Sequence, residues 1–196
     1  MKVLGISGSL REGSHNKRLL EAASGELPPG VTLELFEGLE DVPAYREDLE
    51  SEPPAGAKAF QDAIAHADAL LFATPEYNSS VPGALKNALD WASRPFPDNA
   101  LHDKPAAVVG ASTGMFGAVW AQAELRKVLA ASGAKVLDEE LPLGHAGQAF
   151  DEAGQLAAPE TAERLREIVE ALVAQAEQLQ LAEDRRGVQS GAVNAG

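Results

Sequence analysis

Val3-Leu-Gly-Ile-Ser-Gly8-Ser-Leu-Arg-Glu-Gly-Ser-His-Asn16 opens as an apolar run and ends in a loop rich in glycine and hydroxyl groups, with a helical pattern from about Asn16. A strand that feeds such a loop and then a helix is built to hold a phosphate. Glycines let the backbone double back so that amide N–H groups converge on one point. The helix that follows adds the positive end of its dipole. Ser9, Ser14 and Asn16 offer neutral donors, and Arg11 offers a charged fork. The alternative is a Gly/Ser turn that only joins strand to helix.

The spacing selects among phosphates. Lys17 follows Asn16, and no Ser or Thr follows the lysine, so the triphosphatase pattern G-x-x-x-x-G-K-[ST] is absent. The dinucleotide pattern G-x-G-x-x-G is absent too. A terminal phosphomonoester, as on FMN, suits a hydroxyl-rich loop better.

The 196 residues predict one domain, residues 1–183, with a mobile tail expected over 184–196, where large apolar residues are few. A formal net charge of −14 argues against nucleic acid and against anionic membrane surfaces as partners. An anionic ligand then needs a local positive pocket, which Arg11, Lys17 and Arg18 supply. The chain has no cysteine, which removes disulfides, thiolate metal sites and cysteine nucleophiles. Met1-Lys2 leads straight into the first strand with no targeting or membrane segment, so a cytoplasmic location is expected.

The periodicity predicts strands over Lys2–Ser7, Val31–Phe36, Asp68–Thr74 and Pro105–Ala111, with a fifth over Lys135–Leu137. Helices are expected over Asn16–Ala23, Ala57–Ala67, Gly83–Ser93, Val119–Ala131 and about Pro159–Glu183, with a proline-bearing loop over Glu37–Gly56. Strand and helix alternate. The expected fold class is therefore α/β, a five-stranded parallel sheet with helices on both faces, and ligands bind outside the carboxyl ends of its strands. Two more loops lie at that edge. One is Thr74-Pro-Glu-Tyr-Asn-Ser-Ser-Val-Pro-Gly83, stiff and carrying Tyr77, whose ring suits a planar ligand. The other is Ala111-Ser-Thr-Gly-Met-Phe-Gly-Ala118, uncharged and rich in N–H groups.

At these residues the chain resembles the NADPH-dependent FMN reductase family of flavodoxin-like proteins, which includes bacterial quinone, chromate and azo-dye reductases. The likeness rests on Gly8-Ser-Leu-Arg-x-x-Ser-x-Asn16, on Pro75-Glu-Tyr-Asn78 continued by Val81-Pro-Gly-x-Leu-Lys-Asn-Ala-x-Asp-Trp91, and on Ser112-Thr-Gly114. It extends over about Val3 to Leu172, including Pro43-x-Tyr45 and Phe150-Asp-Glu. The resemblance implies that Ser9, Arg11, Ser14, Asn16 and the backbone of Lys17 and Arg18 take the FMN phosphate. It implies that Pro75, Glu76, Tyr77 and Asn78 line the ring and ribityl chain. Ser112, Thr113 and Gly114 then face the pyrimidine edge, where their N–H groups would steady negative charge. It also implies a homodimer or homotetramer joined through the helix after Pro82, an expectation that Leu85, Leu89 and Trp91 reinforce.

The expected activity is FMN-dependent transfer of hydride from NADPH or NADH to a small-molecule electron acceptor: quinone-like, azo, metal-ion or flavin. No catalytic acid or base is named, and no metal is expected. His15, His66, His102 and His145 lack ligand spacing, and a solvated side chain is expected for His15. Glu76 suits loop positioning or an intersubunit contact as well as it suits a base. The alternative function is a flavodoxin-type electron carrier that turns over no substrate of its own.

Overall fold

The computed structural model describes residues 1–193. Strands β1 (Lys2–Ser7), β2 (Thr32–Leu35), β3 (Ala69–Thr74), β4 (Pro105–Ala111) and β5 (Lys135–Val136) run parallel in the order β2-β1-β3-β4-β5. The strand order reverses between β1 and β3. That reversal opens a crevice at the carboxyl edge of the flavodoxin-like sheet.

The helices are α1 (His15–Gly25), α2 (Ala55–Ala65), α3 (Gly83–Ala92), α4 (Val119–Ala131) and α5 (Pro159–Val193). Successive side chains of the central strands point to opposite faces and feed two cores. Leu4, Ile6, Leu70, Phe72, Ala106 and Val108 pack against α2, α3 and α4. Val3, Leu71, Ala73, Ala107 and Val109 pack against α1 and α5. β3 and β4 are buried along their whole length, as the two-sided apolar runs predict.

The structure departs from the expected order in three places. The expected fifth strand is split, because β5 pairs with Pro105–Ala106 and a sixth strand, β6 (Pro142–Leu143), pairs with Gly110–Ala111. Leu137 N–H donates to Ala106 and Gly110 N–H donates to Leu141, so the acidic residues Asp138, Glu139 and Glu140 between them leave the ladder. The loop 37–56 contains two short 3₁₀ turns and is pinned to α3. Asn87 donates to the Pro43 carbonyl and accepts the Tyr45 N–H, and the Trp91 indole also donates to Pro43. Finally, α5 continues past the expected end at Glu183 to Val193, and residues 194–196 of the expected tail lie outside the described residues.

Among the described residues no helix is long and apolar enough to cross a membrane.

Candidate active site

The first loop begins locked to the sheet, since Gly8 N–H donates to Ala73 of β3 at 2.9 Å. A Cβ at Gly8 would lie 2.9 Å from the Leu85 side chain of α3 and 3.3 Å from the Pro75 ring, so glycine lets the first loop sit close against both without displacing them. Ser14 caps α1: its hydroxyl accepts Lys17 N–H at 3.3 Å and its carbonyl accepts Arg18 N–H at 3.1 Å. The N–H groups of Leu10, Glu12, Gly13, Ser14, His15 and Asn16 make no hydrogen bond to any described residue. Six free donors crowded at a helix N-terminus fit a phosphate, and the loop therefore fits the terminal group of FMN. A cavity of about 280 Å³ opens between this loop and residues 35–40, lined by Ser9, Arg11, Ser14 and Lys17 among others.

The structure sorts the expected phosphate ligands. Arg11 is exposed, and its guanidinium donates to Gly13 at 2.8 Å, within the loop. Ser9 accepts Arg11 N–H through its hydroxyl. Three of the expected residues already have partners within the chain. Asn16 is buried and taken at both ends of its amide, donating to the Ala111 carbonyl at 3.0 Å and accepting Ala111 N–H at 2.9 Å. It ties the first loop to β4. The amides of Lys17 and Arg18 are occupied by Ser14, and their side chains look elsewhere. Lys17 pairs with Glu37 at 2.8 Å, and the Arg18 guanidinium lies 4.4 Å above the Phe150 ring. His15 is not the solvated side chain expected. It is half-buried, with a ring Nδ1 shielded from solvent and unpartnered. Burial first, then Arg11 and Arg18, hold it below the ordinary histidine value.

In the second loop, Tyr77 and Ser80 exchange both backbone hydrogen bonds at 3.2 Å around Asn78 (φ 53°) and Ser79 (φ 59°). Two consecutive left-handed residues make a tight turn that presents the Tyr77 ring outward. Pro75 is buried at the start of the loop. Glu76 does not stand free as a base: its carboxylate accepts the N–H groups of Trp120 and Ala121 at the start of α4, both at 3.1 Å.

In the third loop, Ser112 N–H is taken by the Leu143 carbonyl at 3.0 Å and Gly114 N–H by the Ser112 hydroxyl at 3.1 Å. Of the three amides expected to steady charge, only that of Thr113 makes no bond to a described residue. The reason is β6 and the turn after it. His145 N–H donates to Gly114 and Ala146 N–H to Ser112, so residues 143–146 form the back wall of this loop. A Cβ at Gly117 (φ 57°) would lie 2.2 Å from the Pro142 carbonyl carbon, so glycine is required for that approach.

The rim of the crevice is apolar. Leu10, Tyr77, Met115, Phe116 and Trp120 are each between 50% and 64% exposed, and the Phe116 and Trp120 rings meet edge to face at 5.1 Å. The helix expected to expose an apolar face does not: Leu85, Leu89 and Trp91 of α3 are buried in the chain's own core. The argument for an oligomer from that helix therefore falls, and the exposed apolar surface lies at the loop edge instead.

Such an amide cradle and aromatic rim, at the switch point of a flavodoxin-like sheet, fit a flavin-binding protein. Comparison with known proteins agrees. The profile of the NADPH-dependent FMN reductase family matches residues 1–148. An NAD(P)H-dependent FMN reductase of Pseudomonas aeruginosa is 46% identical over 175 residues, 88% of this chain and 93% of the relative. A 2-hydroxy-1,4-benzoquinone reductase of a Burkholderia species is 38% identical over 167 residues, 85% of this chain and 91% of the relative. The flavoenzyme NAD(P)H:(acceptor) oxidoreductase FerB of Paracoccus denitrificans superposes with a TM-score of 0.82 at 36% identity, covering 90% of this chain and 97% of that one. The chain belongs to the NADPH-dependent FMN reductase family. It is an oxidoreductase that works with FMN and a reduced nicotinamide.

Proposed function

We propose that the protein passes hydride from NADPH or NADH through bound FMN to a quinone-like acceptor, with donor and acceptor using one pocket in turn. The observation that carries the reading is the cluster of six free N–H groups at the start of α1. Arg11, Ser9 and Ser14 complete a cradle for a terminal phosphate; Asn16 gives it its backbone N–H while its side chain, with Lys17 and Arg18, braces the loop. Pro75, Glu76, Tyr77 and Asn78 form the wall for the ring system. The Thr113 N–H donates at the edge where negative charge gathers, while Ser112 and Gly114 hold it in place. Bound FMN supplies the hydride chemistry, and the protein supplies orientation and shelter. A quinone-like acceptor is supported by the aromatic rim and by the quinone reductases among the relatives.

One domain over residues 1–183 carries the activity, with no separate nicotinamide-binding module. It works in the cytoplasm as a homodimer or homotetramer, on small molecules rather than nucleic acid or membranes, a reading that the charge of −14 supports. Two measurements test this. Apoprotein titrated with FMN and FAD is expected to prefer FMN, because the cradle accepts a terminal phosphomonoester, and equal or tighter FAD binding overturns the assignment. Double-reciprocal plots for NAD(P)H at several quinone concentrations are expected to be parallel. Intersecting lines mean two sites.

A further inference from the structure

Two carboxylates cross the joint between the second loop and α4 in opposite directions. Glu76 reaches from the loop to the N–H groups of Trp120 and Ala121. Those are two of the donors a helix start leaves unpaired, and Ala118, at the cap position, has no side chain to satisfy them. Glu76 thus stands in for the missing cap, at the positive end of the helix dipole. Glu124 reaches back one turn later. Its Oε2 accepts the Ser80 hydroxyl at 2.7 Å and the Val81 N–H at 3.3 Å. Tyr77, Asn78 and Ser79 lie between the two anchor points.

We propose that Glu76 and Glu124 form a reciprocal clasp that fixes the Tyr77 turn against α4, which makes Glu124 a positioning residue for cofactor binding. An exposed ion pair would do little here, but these bonds run from a charged acceptor to backbone N–H and hydroxyl groups, and such bonds are the stronger kind. They also hold two adjacent non-glycine residues in the left-handed region, which L-residues otherwise avoid. Glu124 is held below the ordinary carboxylate value by the Ser80 hydroxyl first and then by the Val81 amide. Burial opposes them, and Lys127 of α4 and Lys86 of α3 assist. The Glu124 carboxylate is therefore held in its charged form in the folded protein. Nothing in the sequence sets Glu124 apart from other acidic residues on helix surfaces.

The link to cofactor binding rests on the functional reading above, so the test has two independent arms. In the apoprotein, amide hydrogen exchange over Tyr77–Val81 is expected to quicken in Glu124→Ala and to return toward wild type in Glu124→Gln. Both bonds to Glu124 fall on one oxygen, and the glutamine carbonyl can occupy its place. Unchanged exchange in Glu124→Ala overturns the clasp. In the second arm, FMN dissociation constants are read by quenching of flavin fluorescence, together with the visible circular dichroism of the bound flavin. Glu124→Ala is expected to weaken FMN by about three- to tenfold, the scale of one hydrogen bond. Ser80→Ala is expected to fall between the alanine variant and wild type, and Glu124→Gln within about twofold of wild type. Faster exchange with unchanged affinity and dichroism leaves Glu124 structural and overturns its positioning role. A wild-type protein that binds no FMN overturns the functional reading, and the exchange arm still decides the clasp.

Discussion

Removing the Asn16 side chain tests how the phosphate loop is tied to the sheet. Asn16 is 2% exposed and satisfies both the N–H and the C=O of Ala111, at the carboxyl end of β4. Asn16→Ala leaves those two buried backbone groups without partners. Each unsatisfied group costs about 1–3 kcal/mol, so the variant is expected to lose about 2–6 kcal/mol in total. For a chain of this size that lowers the melting temperature by about 4–24 °C. Asn16→Asp sharpens the test. An ionised carboxylate accepts the Ala111 N–H but repels the Ala111 carbonyl, whereas a protonated carboxyl can donate to the carbonyl and restore both bonds. The folded state therefore raises the pKa of this aspartate above its unfolded value. A raised acid binds its proton more tightly in the folded state, so its stabilising contribution is complete below the unfolded value and is lost as pH rises through the folded one. Urea unfolding is expected to show the aspartate variant approaching wild type at about pH 4 and falling away by about pH 7. An alanine variant within about 0.5 kcal/mol of wild type would refute the reasoning, as would an aspartate deficit that does not change with pH.

Four further outcomes are expected. Arg11→Ala weakens FMN by about 1.5–3 kcal/mol in calorimetric titration, while Lys86→Ala, which breaks a surface pair with Asp90 and removes a minor influence on Glu124, changes affinity by less than about 0.5 kcal/mol. Trp91→Phe removes the indole donor to the Pro43 carbonyl, which Asn87 still satisfies, and puts a smaller ring in a buried site, and urea unfolding is expected to show a loss of about 1–3 kcal/mol from the lost bond and the poorer packing together. Because the folded protein holds the Glu124 pKa down, its contribution is present above the unfolded value and lost as pH falls through the folded one. The stability of wild type should therefore decline more steeply in acid than that of Glu124→Gln, and parallel pH profiles would count against the assignment. Light scattering at micromolar concentration is expected to give a dimer or tetramer that Phe116→Glu and Trp120→Glu dissociate; a monomer mass for wild type would remove the rim as an interface.

The layers of the fold were legible because β3 and β4 are apolar on both faces and the helices carry a 3.6-residue stripe. Both signals are local. The split edge was not legible, since two-residue strands set up no period and Pro142–Leu143 contributes a single buried leucine. At the site, the glycines and hydroxyls of the first loop make an N–H cradle legible, but not that the Asn16 side chain is tied to β4. A polar residue beside a phosphate loop looks the same in sequence whether it faces the ligand or the back of β4, and only the tertiary pairing with Ala111 decides. Trp91 misled for the opposite reason. Apolar residues on a short helix suggest an exposed face until the loop 37–56 folds over and buries them. Glu124 was missed because its partners, Ser80 and Val81, lie more than forty residues away in the chain.

Four of the five non-glycine residues with left-handed backbone among the described residues sit around the crevice: Asn78, Ser79, Ala118 and His145. Asn78 already suits this backbone, but at Ser79, Ala118 and His145 ordinary selection for stability would favour glycine or asparagine. Their clustering marks the crevice as the part of the molecule where the chain tolerates an unfavourable backbone to keep its loops in one shape. An engineer seeking a hardier protein would find gains at Ser79 or Ala118 by substituting glycine. The same change would loosen the geometry that orders the rim, so heat resistance and turnover are set against each other at these positions.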